Sequence, residues 1–317
     1  MKKHIRNFLI LTAFTGAAMH IMNHIINISS TLKNILKTEH GKFFNWKYGN
    51  IFYTKTGKGS PIILIHDLNP ASSSLEWEKI SKSLSKKHTV YTLDLLGCGR
   101  SDKPKLTYTN YLYVQLISDF IKEIIGEKSD VVAMGGAGSF SLMACNMNPE
   151  HFNKVILINP DDLQKLAQTP DKRKNILKAL VDLPVLGTFI YNVLYSNIGI
   201  KKLFMDNYFY MNQQISSKTL DSYYESAHLG NSNGKYLFSS IYSDYTNINI
   251  VHALKKIDNP IYLIYSKEKE NAQEIINSYT NYNSSIETAF VKNSKYLPQM
   301  ENPSELLTQL ELFLDAF

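Results

Sequence analysis

The sequence predicts an α/β fold: a mostly parallel central sheet with helices on both faces. Three observations carry that expectation. Short continuous apolar runs recur at Pro61 to His66, Thr89 to Leu95, Val131 to Met134, Lys154 to Pro160 and Pro260 to Ser266. Runs of this length without polar alternation suit strands buried on both faces. Amphipathic helical patterns separate them, and such alternation implies parallel strands joined by helical crossovers. Finally, the run at Val131 to Met134 stops abruptly at Gly135-Gly136-Ala137-Gly138, and a helical pattern of Phe140, Leu142, Met143, Cys145 and Met147 starts at once. A strand turning that sharply into a helix needs small residues where the two backbones approach.

Taken in order, the chain opens with Lys2, Lys3 and Arg6, then Phe8 to Ile28 without a formal charge. As a helix these residues would extend ~31 Å, close to the ~30 Å hydrocarbon core of a bilayer. His20, Asn23, His24 and Asn27 interrupt the second half. Three readings stay open: a single-span anchor that is retained, a cleaved signal peptide processed near Gly16-Ala17-Ala18, or an interfacial or packed amphipathic helix. Lys33, Lys37 and Lys42 follow. Both flanks are therefore positive, and loop charge assigns no orientation.

From Gly41 the pattern becomes globular. Phe43 to Lys47 and Ile51 to Thr56 are β-rich and joined by the turn Tyr48-Gly49-Asn50. Ser74 to Lys86 reads as a helix with Leu75, Trp77, Ile80 and Leu84 on one face, and Asn110 to Ile125 as a longer one. Residues 161–258 break the alternation: they are helical and rich in tyrosine. The sheet pattern resumes at Pro260. A helix around Ala272 to Tyr279, a strand at Ile286 to Val291 and a last helix follow. In that last helix Asn302 suits the N-cap, Pro303 the first turn and Glu305 the position that bonds back to the cap.

Composition narrows the function classes. A chain of 317 residues with 44% apolar content can bury a substantial core, as one large domain with an insertion or two small ones. Cys98 and Cys145 make no disulfide framework, no ligand spacing suggests a metal, and no cofactor is expected. Lysines outnumber arginines 31 to 3, which is poor material for bidentate recognition of nucleic acid. Residues 1–60 carry a net charge of +8 and the remainder −2. A basic head on a neutral body favours an anionic membrane surface as partner.

Several segments carry a family likeness: Gly57-x-Gly59-x-Pro61 before the strand ending at His66, Asp94-x-x-Gly97-x-Gly99-x-Ser101-Asp102-x-Pro104, the strand–helix turn at Gly135, Pro149-Glu150, and Leu297-Pro298-x-x-Glu301-x-Pro303. Over residues 41–317 the chain resembles the α/β-hydrolase superfamily, in its branch of esterases, lipases and dehalogenase-like enzymes with a helical cap. The resemblance implies an α/β-hydrolase core at 41–160 and 259–317 and a helical cap at 161–258 inserted after the sixth strand; residues 1–40, outside the likeness, are expected from their charge and hydropathy to be an N-terminal hydrophobic anchor with a basic flank. The resemblance also implies a nucleophile on a G-x-S-x-G elbow, an acid after the penultimate strand and a histidine after the last.

At those positions this chain departs from the pattern. Counting back from Pro149 and forward along the strand both place Gly135 at the nucleophile, in Ala133-Met134-Gly135-Gly136-Ala137. Glycine has no group to attack with. The acid position falls at Lys269 in Ser266-Lys267-Glu268-Lys269, with Glu268 or Glu270 as substitutes if the loop slips by one residue. The base position falls at Tyr296, and the last histidine of the chain, His252, precedes the final two strands. By resemblance the backbone N–H groups of Leu68 and Gly136 form the oxyanion hole. His66 and Asp67 belong to the loop beside the pocket, where relatives read His-Gly. A carboxylate at Asp67 either opposes a developing negative charge or caps the next backbone N–H as a turn residue.

The reading that follows is a membrane-tethered hydrolase-fold protein without Ser–His–Asp activity, binding a small apolar ligand or a partner through the capped pocket. Two alternatives stand beside it. One is a serine ester hydrolase with Ser139 as relocated nucleophile and His66, His228 or His252 as base. The other is a purely structural or assembly role with the pocket filled.

Overall fold

The computed structural model describes residues 2–315. Eight strands form one sheet: β1 (Gly41–Trp46), β2 (Gly49–Thr56), β3 (Pro61–Ile65), β4 (Thr89–Leu93), β5 (Ser129–Met134), β6 (Phe152–Ile158), β7 (Ile261–Ser266) and β8 (Glu287–Val291). Their order is β1-β2-β4-β3-β5-β6-β7-β8. β1 and β2 form an antiparallel hairpin and β2 also runs antiparallel to β4. The remaining neighbours are parallel. The continuous apolar runs are this parallel block, and β3, β5 and β7 are buried at every position.

Fourteen α-helices accompany the sheet. They are α1 (Lys2–Ser30), α2 (Glu78–Leu84), α3 (Asn110–Phe120), α4 (Ala137–Met147), α5 (Leu163–Leu166), α6 (Lys172–Asp182), α7 (Leu186–Leu194), α8 (Asn197–Leu203), α9 (Ser217–His228), α10 (Gly234–Tyr242), α11 (Val251–Leu254), α12 (Ala272–Tyr282), α13 (Pro298–Glu301) and α14 (Pro303–Asp315). Side chains alternate across a strand, so each strand feeds two cores. Ile63, Ile65, Val131, Ala133 and Leu157 pack with α3, α4 and α12 on one face. Ile62, Leu64, Val132, Met134 and Ile158 pack with α2, α14 and the helices between β6 and β7 on the other.

The segment between β6 and β7 contains helices α5 to α11. Buried polar contacts join it to the sheet domain. Tyr223 on α9 donates to Glu76 Oε1 at 2.5 Å, and Gln299 donates to Glu76 Oε2 at 3.2 Å. The N-terminal helix joins the same segment. Asn23 donates to the Val185 carbonyl at 3.1 Å and accepts from Asn192 at 2.9 Å, while Asn27 accepts from Ser232. Below the helix, the backbone N–H groups of Ile35 and Leu36 donate to Glu225. The asparagines that interrupt the apolar run are thus the residues that dock α1.

The Asp94–Gly99–Ser101 segment is a folded loop. Burial acts to raise the Asp94 carboxyl, but the Arg100 charge and hydrogen bonds outweigh it and hold the group down at about 2. Arg100 Nε donates to Asp94 Oδ2 at 2.7 Å and Ser74 N–H to Oδ1 at 2.7 Å.

Glu76 behaves in the opposite way. Burial raises it to about 7, against the hydrogen bond from Tyr223. Between its ordinary value near ~4.3 and about 7 the unfolded chain has lost a proton that the folded chain keeps, so folding stability falls as pH rises through that window. The full effect is about 3 kcal/mol, reached above pH 7. Comparing urea denaturation of the protein and Glu76→Gln at pH 5 and pH 8 tests this. The variant is expected to gain relative stability with rising pH, and a pH-independent difference would refute it.

Candidate active site

The turn after β5 is built as a strand–helix elbow. Gly135 has φ +55°, a left-handed conformation that side chains disfavour. Its N–H donates to the Ile158 carbonyl of β6 at 2.9 Å, and its own carbonyl accepts from Gly138 at 3.1 Å as α4 begins. A Cβ placed on Gly135 would sit 2.3 Å from Asp67 Oδ1 and 2.4 Å from the Tyr296 hydroxyl. The space that a nucleophile would need is therefore filled by two other side chains.

Asp67 follows β3 and reaches across the elbow. Its Oδ1 accepts the N–H of Leu68 at 2.8 Å and the N–H of Gly136 at 2.9 Å. These are the two donors that the resemblance assigns to the oxyanion hole, and one carboxylate oxygen occupies both. Oδ2 accepts the Tyr296 hydroxyl at 2.8 Å. Burial, helped by the charge of Asp161, raises the Asp67 carboxyl above its usual range, against the pull of Tyr296 and the Gly136 N–H. The Leu68 bond is the turn cap on the following N–H, and the same oxygen also reaches the Gly136 N–H across the elbow.

Tyr296 comes from the loop after β8. Its backbone N–H donates to the Tyr208 carbonyl at 3.0 Å, and its ring stacks on Tyr208 at 5.3 Å between centroids. Burial first, then the charge of Asp67, lifts its hydroxyl well above the normal range for a phenol, so it stays protonated and donates. It offers no general base at neutral pH.

Lys269 follows β7. Its ammonium lies 5.4 Å from the centre of the Tyr296 ring and donates to the Asn159 carbonyl at 3.3 Å. Burial lowers it to about 8, although Asp161 and Asp67 pull the other way. Asn159, left-handed at φ +45°, ties the three strand ends together. It donates to the Tyr296 carbonyl at 2.8 Å and to Ser266 Oγ at 2.9 Å. The structure thus brings Gly135, Lys269, Tyr296 and Asp67 to one place.

The other candidates are engaged elsewhere. Ser139 Oγ donates to the Gly136 carbonyl at 2.8 Å. His66 is fully buried, with Nδ1 against the Asp67 carbonyl at 2.7 Å and Nε2 accepting from the Leu95 N–H at 3.0 Å. His228 Nδ1 is bound to the Tyr224 carbonyl at 2.7 Å, and burial lowers that ring to about 4. His252 is exposed on α11. Glu268 accepts the Ser294 N–H at 3.2 Å and Glu270 is exposed.

A cavity of about 340 Å³ opens beside Asp67 and Gly136, between the sheet and helices α5 and α10. Phe140, Leu166, Tyr195 and Ile241 supply apolar wall, and Asp67, Asp161, Lys165 and Asp244 bring charge. Asp161 pairs with Lys165 at 2.9 Å and Asp244 with Lys174. Asp161 and Lys165 escaped sequence reading, because nothing local distinguishes them from surface charges at helical spacing. The cue available was only their place after β6, at the strand end where such sheets bind ligands.

Residues 60–194 match the sequence profile of a family described as alpha/beta hydrolase fold. Together with the sheet order and the elbow, this decides the fold. The chain has the α/β-hydrolase fold. A curated relative, a 2-hydroxy-6-oxo-6-(2'-aminophenyl)hexa-2,4-dienoic acid hydrolase of Metapseudomonas resinovorans, is 31% identical over 108 residues. That match takes in 33% of this chain and 37% of the relative, so it spans little more than a third of the relative's length. Among solved structures, a serine hydrolase involved in carbazole degradation superposes with TM-score 0.69 at 18% identity, covering 87% of this chain and 99% of that one. A membrane phospholipase A described as a bacterial virulence factor superposes with TM-score 0.69 at 17% identity, covering 99% of this chain and 98% of that one. Similarity at this level establishes the fold of this chain and leaves its chemistry to its own residues.

The crowding at the elbow has a measurable cost. Gly135→Ala is expected to destabilise the protein by about 2–4 kcal/mol, from the left-handed backbone and the contact with Asp67. Adding Asp67→Gly should recover at least about 1 kcal/mol of that loss in a double-mutant cycle. Additive effects in urea denaturation would mean that the two side chains do not compete for one space.

Proposed function

We propose that this chain is a membrane-tethered α/β-hydrolase-fold protein that lacks Ser–His–Asp acyl transfer and binds a small ligand in the cavity beneath its helical insertion, which acts as a cap. The observation that carries this reading is the Asp67 carboxylate oxygen seated on the N–H groups of Leu68 and Gly136, over a glycine. Acyl transfer needs that site empty and electropositive when the substrate oxygen becomes negative. Here an acidic oxygen already holds it. A phenol stands at the base position and an ammonium at the acid position, where a positive charge would disfavour a cationic base.

The cavity supports ligand binding over a solely structural role, since its volume of about 340 Å³ is within the usual range for small-molecule pockets. Its lining refines the ligand class. Asp161 and Asp244 are already paired with Lys165 and Lys174, and Asp67 with the Leu68, Gly136 and Tyr296 donors, so the free wall is chiefly that of Phe140, Leu166, Tyr195 and Ile241 and favours a mostly apolar molecule. The tether reading draws on α1, which is long and apolar enough to cross a membrane, with Phe8, Leu9, Leu11 and Phe14 exposed. Likeness to the membrane phospholipase A over 99% of this chain, against 87% for the carbazole-degradation hydrolase, supports it as well.

A fluorophosphonate probe and a panel of nitrophenyl esters, applied to the full chain in detergent, test the catalytic half. Neither labelling nor turnover above background is expected. The combined variant Asp67→Gly, Gly135→Ser, Lys269→Asp, Tyr296→His should raise ester turnover at least tenfold over the unmodified chain. Labelling of the unmodified chain that vanishes in Ser139→Ala would instead establish the relocated nucleophile.

A further inference from the structure

Helices α6, α7 and α8 leave an unusual amount of apolar side chain uncovered. Ile176 is 72% exposed, Val193 54%, Leu194 49% and Ile198 83%, and Leu180 and Leu183 are exposed beside them. The exposure is patterned. On α6, Ile176 and Leu180 stand one helical turn apart while Val181 is buried, and on α7 Val193 and Leu194 face outward while Tyr191 is buried. Each helix has therefore met its core on one side and turned a second apolar side away from it. Solvated surfaces rarely carry so much apolar area in one place without a partner.

Continuity and charge indicate the partner. α1 leaves the folded domain over this same region, because its Asn23 is bonded to Val185, in the bend between α6 and α7, and to Asn192 on α7. The two helices meet at 97° and together have the length and apolar character of a broken membrane-spanning pair. Exposed cations bracket the apolar residues: Lys172 and Arg173 at the start of α6, and Lys201 and Lys202 on α8. An apolar face edged by lysine and arginine is the chemistry of a helix lying in an anionic bilayer interface.

We infer that the α6–α8 face is a second membrane contact, seated in the headgroup region of an anionic bilayer beside α1. The inference rests on the tether reading and adds to it: the anchor does not hold the domain at a distance but presses its insertion against the lipid. The surface is a lipid contact, and a second copy of the chain is the competing occupant.

Site-specific labelling of the full chain separates these cases. Cys98 and Cys145 are buried, so single cysteines introduced by Phe14→Cys, Ile176→Cys, Ile198→Cys and Leu312→Cys can carry bimane. The labelled proteins are reconstituted in vesicles of three parts phosphatidylcholine to one part phosphatidylglycerol, with and without doxyl-labelled lipid. Quenching of at least twofold is expected at 14, 176 and 198, and none at 312 on α14. Quenching at 14 with none at 176 and 198 would overturn this inference and leave the tether standing. Absence of quenching at 14 would overturn the tether itself. Crosslinking of position 198 between chains, in place of lipid quenching, would assign the face to self-association and overturn the lipid contact.

Discussion

One carboxylate oxygen governs the centre of this molecule. Asp67 Oδ1 accepts the backbone N–H groups of Leu68 and Gly136, and such hydrogen bonds contribute on the order of 0.5–1.5 kcal/mol each. The arrangement depends on Gly135, since any Cβ there would collide with that oxygen. It depends equally on Tyr296, whose hydroxyl satisfies Oδ2 and whose ring is held by stacking on Tyr208. The elbow, the loop after β3 and the loop after β8 are thus locked together by hydrogen bonds. An elbow with a nucleophile has to leave the same donors free for substrate. Here Asp67 holds both donors, over a glycine at position 135.

The insertion is held by the same kind of buried polar contact. Glu76 receives Tyr223 from one side and Gln299 from the other, so the core, α9 and α13 meet at one carboxyl. α1 in turn is fastened to the insertion through Asn23 and Asn27 and through backbone donation to Glu225. Sheet domain, insertion and α1 therefore form a connected chain of contacts. A displacement of α1 would reach the helices over the cavity before it reached the sheet.

Much of the fold was legible in the residues. The buried parallel strands at Pro61, Thr89, Val131, Lys154 and Pro260 are continuous apolar runs, because strands covered on both faces have no solvent side to alternate with. The last helix announced itself through Asn302, Pro303 and Glu305, and the Asn302 amide does bond the Glu305 carboxylate at 2.8 Å. Boundaries were less legible: the expected helix at Ser74 to Lys86 is a short 3-10 turn followed by Glu78–Leu84, because the chain there is shaped by Asp94 and the buried Glu76. In the sequence the polar residues of α1 only interrupt an apolar run. Whether an asparagine is a flaw or an anchor depends on the surface it meets, and that surface lies some 160 residues away in the chain.

By itself the sequence determined the order of strands and helices, the turn at Gly135 and the absence of a histidine after the last two strands. Those properties are local or follow from chain order. Tertiary structure decided that Asp67 accepts the Leu68 and Gly136 N–H groups, that the Tyr296 hydroxyl donates to it, and that Lys269 rests on the Asn159 carbonyl and the Tyr296 ring. Each of these depends on distances of a few tenths of an ångström between loops far apart in sequence. Hydrogen bonds discriminate at that scale, and residue patterns do not.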